Sequence, residues 1–322
     1  MSLQFGLDFP RAWPNLDARA AFRSEPEDFF VDEKLGFALA GDGEHLCLHI
    51  EKRQQNTVAV AKQLAEQAGL RQMDVGYCGL KDRHAVTRQW FSLYLGQREL
   101  DWQSLRLDGC TILAAGRHDR KLRPGQHTGN RFVIRLRNVE GDLPELEQRW
   151  YEIAGMGVPN YFGEQRFGRG GSNLLRASEL LPLHARQWRE RKNQFAVSAI
   201  RAWLFNAVLA DRVQAGDWRE AVAGEPQPLA SGPLWGRGRP LSSDALRERE
   251  DRLLAPYAAF CEKLEHVGLQ QERRPLLLLP ADASACREGN DWVLGFSLPP
   301  GTYATAVLRE LLALESPQNH NR

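Results

Sequence analysis

At 322 residues, with 43% hydrophobic and 26% charged side chains and no low-complexity tract, the chain has the composition of a globular protein of one large or two ordinary domains. A formal net charge of +1 excludes a uniformly cationic coat for nucleic acid, though not a local basic groove. The five cysteines, Cys47, Cys78, Cys110, Cys261 and Cys286, stand far apart without a Cys-x-x-Cys pair, which argues against a zinc ribbon or a disulfide framework.

The first residues, Met1 to Gly6, lack the basic and apolar regions of a secretory signal, and no apolar run reaches membrane-spanning length. A soluble, cytoplasmic protein with free thiols is expected. Residues 1 to 20 read as an irregular lead-in broken by Pro10 and Pro14. Arg23-Ser24-Glu25-Pro26-Glu27-Asp28-Phe29 then forms a turn that enters a strand at Phe29. Leu46 to Ile50 alternates as a strand with Leu46, Leu48 and Ile50 on one face. Asn56 and Thr57 can cap a helix in which Val58, Ala61, Leu64, Ala65 and Ala68 recur at helical spacing, closed by Gly69.

This scaffold leads into Gly79-Leu80-Lys81-Asp82-Arg83-His84-Ala85-Val86-Thr87-Arg88-Gln89-Trp90. Trp90 to Leu95 is aromatic and aliphatic and reads as a strand, so Asp82 falls on the loop before it. A positioned carboxylate between Lys81 and Arg83 can act as a nucleophile, a base or an electrostatic anchor. Lys-Asp-Arg in a turn is more often solvated surface, and the triplet alone does not decide between the two.

A hairpin is expected near Leu105 to Ala115. It is followed by the basic run Arg117, His118, Arg120, Lys121 and Arg123, which is either a solvated turn or a phosphate-contacting loop. Thr128-Gly129-Asn130-Arg131-Phe132 opens an alternating strand with Phe132, Ile134 and Leu136 on one face. Asp142 and Glu145 start a helix, expected to end at Gly155, with Leu146, Trp150 and Ile153 inward. Val158-Pro159-Asn160-Tyr161-Phe162-Gly163-Glu164-Gln165-Arg166-Phe167-Gly168 runs into Arg169-Gly170-Gly171, with neither the ending of a P-loop nor the glycine spacing of a dinucleotide site. Gln194 to Val213 is apolar nearly all round and reads as a buried helix, Phe195 included. Residues 224 to 240 read as a loop, and Ser243 to Ala255 as a charged helix. Residues 156 to 275 thus form a mostly helical lobe. Strand signals return at Leu276 to Leu279 and Trp292 to Leu298; Pro299-Pro300-Gly301 turns the chain, and Tyr303 precedes a helix over Ala304 to Leu314. The tail from Glu315 is expected to fray.

Five of these stretches together resemble the TruD family of tRNA pseudouridine synthases. They are Arg23 with Pro26-Glu27-Asp28-Phe29; Gly79, Lys81, Asp82, Ala85, Thr87 and Gln89; Thr128-Gly129-Asn130-Arg131-Phe132; the Val158 to Gly168 block; and Pro299 to Thr305. The family often has Lys where this chain has Arg23, and Phe also occurs in it at the place of Tyr303. The resemblance implies an α/β (α+β) fold: a mixed, largely antiparallel pseudouridine-synthase sheet with flanking helices, plus an inserted, mostly helical lobe. It implies a discontinuous catalytic domain, 1–155 and 276–322, with the insertion at 156–275.

By the same resemblance Asp82 is the catalytic residue, and Arg23 pairs with it, with Lys81 as further supporting charge. Phe29, Asn130, Phe132 and Tyr303 contact the uridine, and Arg117, Arg120, Lys121, Arg123, Arg166 and Arg169 are candidate RNA contacts. The expected substrate is tRNA, at uridine 13 of the D-arm, with no cofactor, no metal, no membrane and no obligate protein partner. Two other readings stay open on the residues alone. One is a non-catalytic RNA-binding protein on the same scaffold. The other is a metal-dependent nuclease, for which Asp28, Asp32 and Glu33 are the grouped acids.

Overall fold

A computed structural model describes residues 5–226 and 228–315; the tail expected to fray lies outside these except for Glu315. The described residues gather into two compact units, each made of three chain segments. One holds those of Leu16–Ala154, Pro280–Gly301 and Leu312–Arg322; the other those of Met1–Asn15, Gly155–Leu279 and Thr302–Leu311. The contacts thus group 5–15 and 302–311 with 155–279, whereas the sequence grouped 1–15, 276–279 and 302–311 with 16–155.

The first unit is built on a mixed sheet. Its strands include β1 (Arg19–Phe22), β2 (Phe29–Lys34), β3 (His45–Arg53), β4 (Val75–Tyr77), β5 (Val86–Tyr94), β6 (Cys110–His118) and β7 (Gly129–Glu140). Ala281–Glu288, Asp291–Leu298 and Ala313–Glu315 complete it. The order is Ala281–Glu288, Asp291–Leu298, β7, β2, β5, β3, β6. Only β2 with β5 and β1 with Ala313–Glu315 run parallel among the described pairs. The expected mixed, largely antiparallel sheet is present.

Directly opposed residues share a sheet face. Leu46, Leu48, Ile50 and Lys52 of β3 therefore face the same way as their partners Leu93, Phe91, Gln89 and Thr87 of β5. Val31 lies opposite Thr87 and Phe132, and Glu33 opposite Asn130, so β2 and β7 add to that face. Helix α1 (Thr57–Gln67) covers its apolar part, packing Val60, Ala61, Leu64 and Ala65 against Leu46, Leu48, Ile50, Phe91 and Leu93. The helix starts where expected: the Asn56 side chain accepts from the Val58 amide at 2.8 Å. Its inward residue is Val60, however, and Val58 is 39% exposed, because the first turn presents 57 and 60 to the sheet. Helix α2 (Leu143–Met156) runs past Gly155 and buries Leu146, Trp150 and Ile153; Trp150 meets Phe296 of the sheet at 5.6 Å between ring centroids. The hairpin expected near 105–115 is instead the single strand β6, paired antiparallel to β3.

The second unit is mostly helical. Gln194–Ala215 is its central helix, packed by Ser172–Leu180 and Ala258–Glu265 through Leu174, Ala177, Ile200, Leu204, Phe260 and Leu264. Phe195 of that helix is 65% exposed, contrary to the all-round burial expected. The stretch read as a loop contains strand Ser231–Leu234, paired with Glu272–Pro275. The strand expected over Leu276 to Leu279 is only Leu277–Leu278, and the helix after Tyr303 only Ala304–Leu308. Among the described residues no helix is long and apolar enough to cross a membrane.

Candidate active site

The apolar stripe of the sheet turns polar where β3 ends and β5 begins, and the Asp82 loop sits there, its backbone bound at successive points. Gly79 O accepts from Gln89 Nε2 at 3.2 Å; the Lys81 amide donates to Thr57 Oγ1 at 3.0 Å; the Thr57 hydroxyl donates to Gln89 Oε1 at 2.9 Å. Asp82 O accepts from Lys52 Nζ at 3.0 Å. Thr57 and Gln89 are 1% and 0% exposed, so the loop rests on rigid, buried groups.

The Asp82 carboxylate is held by both oxygens. Oδ1 accepts from the His84 amide at 3.0 Å, a local turn bond that Asp favours. Oδ2 pairs with Arg23 Nη1 at 2.7 Å, with the two side chains 24% and 31% exposed. Arg23 has φ +59°, a left-handed conformation uncommon for a non-glycine residue. Its guanidinium lies 4.1 Å from the centroid of Phe29 and 5.0 Å from that of Phe22. Burial pulls the Arg23 value down, and Asp82 pulls it back. The cation is thus fixed by a carboxylate and two ring faces.

Lys81 does not reach the carboxylate beside it. Its Nζ pairs with Glu33 Oε2 at 2.5 Å, with side chains 7% and 0% exposed, while Glu33 Oε1 accepts from the Trp90 amide at 3.1 Å. Sequence adjacency suggested support for Asp82; sheet register instead places Glu33 for Lys81. Glu33 also stands opposite Asn130, whose Nδ2 is 3.4 Å from His127 Nε2. Asn130 Oδ1 and His127 Nδ1 are buried without a hydrogen-bond partner. Burial, then Lys81, lowers the His127 value, so its imidazole is held neutral.

Phe132 is not at the mouth of its strand. It lies inside β7, 7% exposed, stacked on Phe296 at 5.5 Å and edge-on to Phe29 at 6.0 Å. The first unit thus brings together Arg23, Phe29, Asp82, Asn130 and Phe132: a cation-held carboxylate, a group of rings, and an amide with an open acceptor. The grouped acids do not converge. Asp28 binds Arg137 Nε at 2.9 Å, Asp32 binds Lys34 at 2.5 Å, and Glu33 binds Lys81; no cluster of three or more potential metal ligands occurs among the described residues.

The profile of the family described as tRNA pseudouridine synthase D (TruD) matches residues 15–177 and 227–311. The chain belongs to the TruD family. It is 50% identical over 321 residues to the tRNA pseudouridine synthase D of Cellvibrio japonicus (strain Ueda107), covering 98% of this chain and 95% of that one. It is 45% identical to that of Methylococcus capsulatus (strain ATCC 33009 / NCIMB 11132 / Bath), covering 96% and 95%. A crystal structure from Methanosarcina mazei, named for the same enzyme, shares the fold: TM-score 0.69 over 96% of this chain and 97% of that one, at 22% identity.

The remaining expected residues of this TruD-family chain have varied surroundings. Arg117 spends its guanidinium on Gly96 O at 3.2 Å and Arg98 O at 2.7 Å, and Lys121 binds Met73 O, so both head groups are engaged by carbonyls of other segments. Arg120, paired with Asp119 at 3.3 Å, and Arg123 are exposed. In the second unit, Tyr303 and Arg166 come together: Arg166 Nε donates to the Tyr303 hydroxyl at 2.9 Å, and Nη1 to Ser198 Oγ at 2.9 Å. Phe162 meets Tyr303 edge-on at 5.9 Å. Gly163 is required beside them, since a Cβ there would fall 2.9 Å from Thr305 Oγ1 and 3.1 Å from Tyr303 Cδ1. Arg169 is exposed in a turn where Gly168, Gly170 and Gly171 all have positive φ.

Sequence reasoning missed Lys52, Thr57 as a loop anchor, Glu33 as the partner of Lys81, and His127. A signal existed for Lys52: it continues the period-two stripe Leu46, Leu48, Ile50, and so belongs on the inner face.

Proposed function

We propose that this protein is a cytoplasmic tRNA pseudouridine synthase that converts uridine 13 of the D-arm, with Asp82 as the nucleophile and the target base flipped out of its stack. The observation that carries the reading is the Asp82 carboxylate held at 2.7 Å by an Arg23 that itself lies on the ring of Phe29. Membership of the TruD family and 50% identity to a relative named tRNA pseudouridine synthase D support it.

The reaction asks little of a protein. The bond between uracil N1 and the ribose C1′ breaks, the ring turns, and C5 joins C1′. The C5 proton leaves to solvent and N1 ends protonated, so no oxidant, reductant or group donor enters. One carboxylate must face sugar and base, and Asp82 serves. Extrusion of the base costs a few kcal/mol, offset by stacking and phosphate contacts. Phe132 and Phe29 supply ring contacts, and Asn130 Oδ1 an acceptor for the uracil N3–H. Tyr303 is the further uridine contact. Arg120, Arg123, Arg166 and Arg169 contact phosphate, whereas Arg117 and Lys121 tie their segment to the carbonyls of Gly96, Arg98 and Met73.

The test is positional. tRNA transcripts treated with the protein, without added cofactor, are mapped for pseudouridine by carbodiimide modification and primer extension. Product at position 13, abolished by placing cytidine there, is expected. Product confined to another position, or none, contradicts the reading.

A further inference from the structure

The loop that carries Asp82 is tied to a buried cation outside every motif read above. Lys52 is 0% exposed on β3, at the end of the stripe Leu46, Leu48, Ile50. Its Nζ donates to Asp82 O at 3.0 Å and to Gln55 O at 2.7 Å. No carboxylate pairs with it among the described residues. Across the sheet it faces Thr87 of β5 and Cys110 of β6. Glu51 and Arg53, its strand neighbours, turn the other way and pair with Arg88 and Glu27. A buried ammonium bound only to carbonyls is costly. An aliphatic residue would finish the stripe more cheaply, so what the cation does for the loop explains its presence.

We propose that Lys52 is a positioning residue, whose ammonium fixes the backbone of Asp82 through its carbonyl and so sets the carboxylate against Arg23. This rests on the reading of Asp82 as the nucleophile. The titratable groups around Lys52 are Asp82 and Lys81 on the loop and Cys110 opposite. Cys110 is a neutral thiol, since burial pushes it up to about 11. Burial, with Lys81 and against the pull of Asp82, brings Lys52 down to about 8. The ammonium is therefore present at neutral pH and is lost as pH rises through that value, loosening the loop. The stability sign is opposite to that of a structural salt bridge. A depressed lysine costs stability below about 8, and the cost disappears toward its ordinary 10.5.

Lys52→Met and Lys52→Arg are compared with wild type in steady-state and single-turnover reactions on tRNA from pH about 6 to 9.5, the span that brackets the transition. Hydrogen exchange of residues 79–85 is followed in parallel. Lys52→Met should lower kcat about 10²-fold, the scale of a 1 Å misplacement. KM should not change, Tm at neutral pH should not fall, and exchange should rise in residues 79–85. The wild-type rate should decline above pH 8; Lys52→Arg, always charged, should lose that decline. A Lys52→Met enzyme with wild-type rate, with unchanged exchange in the loop, or with a loss that merely tracks its folded fraction by circular dichroism overturns the proposal. If wild type itself forms no pseudouridine while exchange still rises in Lys52→Met, the functional reading falls and the anchoring of the loop stands.

Discussion

Phe132 shows why a single residue can be hard to test. Its ring is stacked on Phe296 and edge-on to Phe29, so Phe132→Ala removes core packing as well as a base platform. Truncating a buried Phe costs about 3–5 kcal/mol of stability, which would hide the smaller catalytic effect. Phe132→Leu keeps most of the volume and loses the ring face. It should lower kcat/KM by the equivalent of about 1–3 kcal/mol, the usual size of a base–aromatic contact. A wild-type kcat/KM in a well-folded Phe132→Leu would remove the stacking role.

His127 gives a pH test at the same scale. Burial and Lys81 hold it below its ordinary 6.5, so its contribution to stability is complete above that value and is lost as pH falls toward the folded-state value. Urea unfolding at pH about 5 and 7 should show a smaller loss on acidification in His127→Gln than in wild type. An equal loss in both would mean that His127 is not held neutral. The role of His127 was not legible in the sequence, because its environment depends on Lys81, forty-six residues earlier, being drawn to Glu33.

At the scale of elements, β3, α1 and β5 were legible, because alternation, an Asn cap and an aromatic run each have a local cause. The Asn56→Ala variant should cost about 1 kcal/mol, read as a lower unfolding midpoint, by freeing the Val58 amide. No change would mean the cap is replaced by solvent. What periodicity did not deliver was phase and pairing. Val58 was chosen over Val60, although the inward set depends on how the first helical turn meets the sheet. Leu105 to Ala115 looked like a hairpin because its turn residues are local, whereas the partner of β6 is β3, far earlier in the chain. Glu33, Asn130 and Lys52 share a face only through strand register, which a single sequence does not print.

At the scale of the molecule, each unit draws on three chain segments, so contiguous stretches did not map onto compact bodies. The helical unit carries a buried charge network. Glu225 binds Arg212 at 3.0 Å and Arg273 at 3.1 Å, and Arg273 reaches Glu250 at 2.9 Å, all with side chains at most 4% exposed. Neutralising one member leaves a guanidinium buried and poorly paired. Glu225→Gln should therefore destabilise the fold by about 3–5 kcal/mol in urea unfolding. A loss within experimental error would mean that water or a neighbouring acid replaces the pair. This network was not legible in the sequence, because its acids and arginines are spread from Arg212 to Arg273.

The central claim is that the arginine-held carboxylate of Asp82 makes pseudouridine. tRNA transcripts tritiated at uracil C5 release tritium to water only when that position exchanges its hydrogen for the bond to C1′. Wild type and Asp82→Asn are incubated with such transcripts without metal or cofactor. Wild type is predicted to release tritium, and Asp82→Asn, folded and still binding tRNA, to release none. Release by Asp82→Asn at the wild-type rate, or none by wild type despite tight binding of the tRNA, would contradict the account.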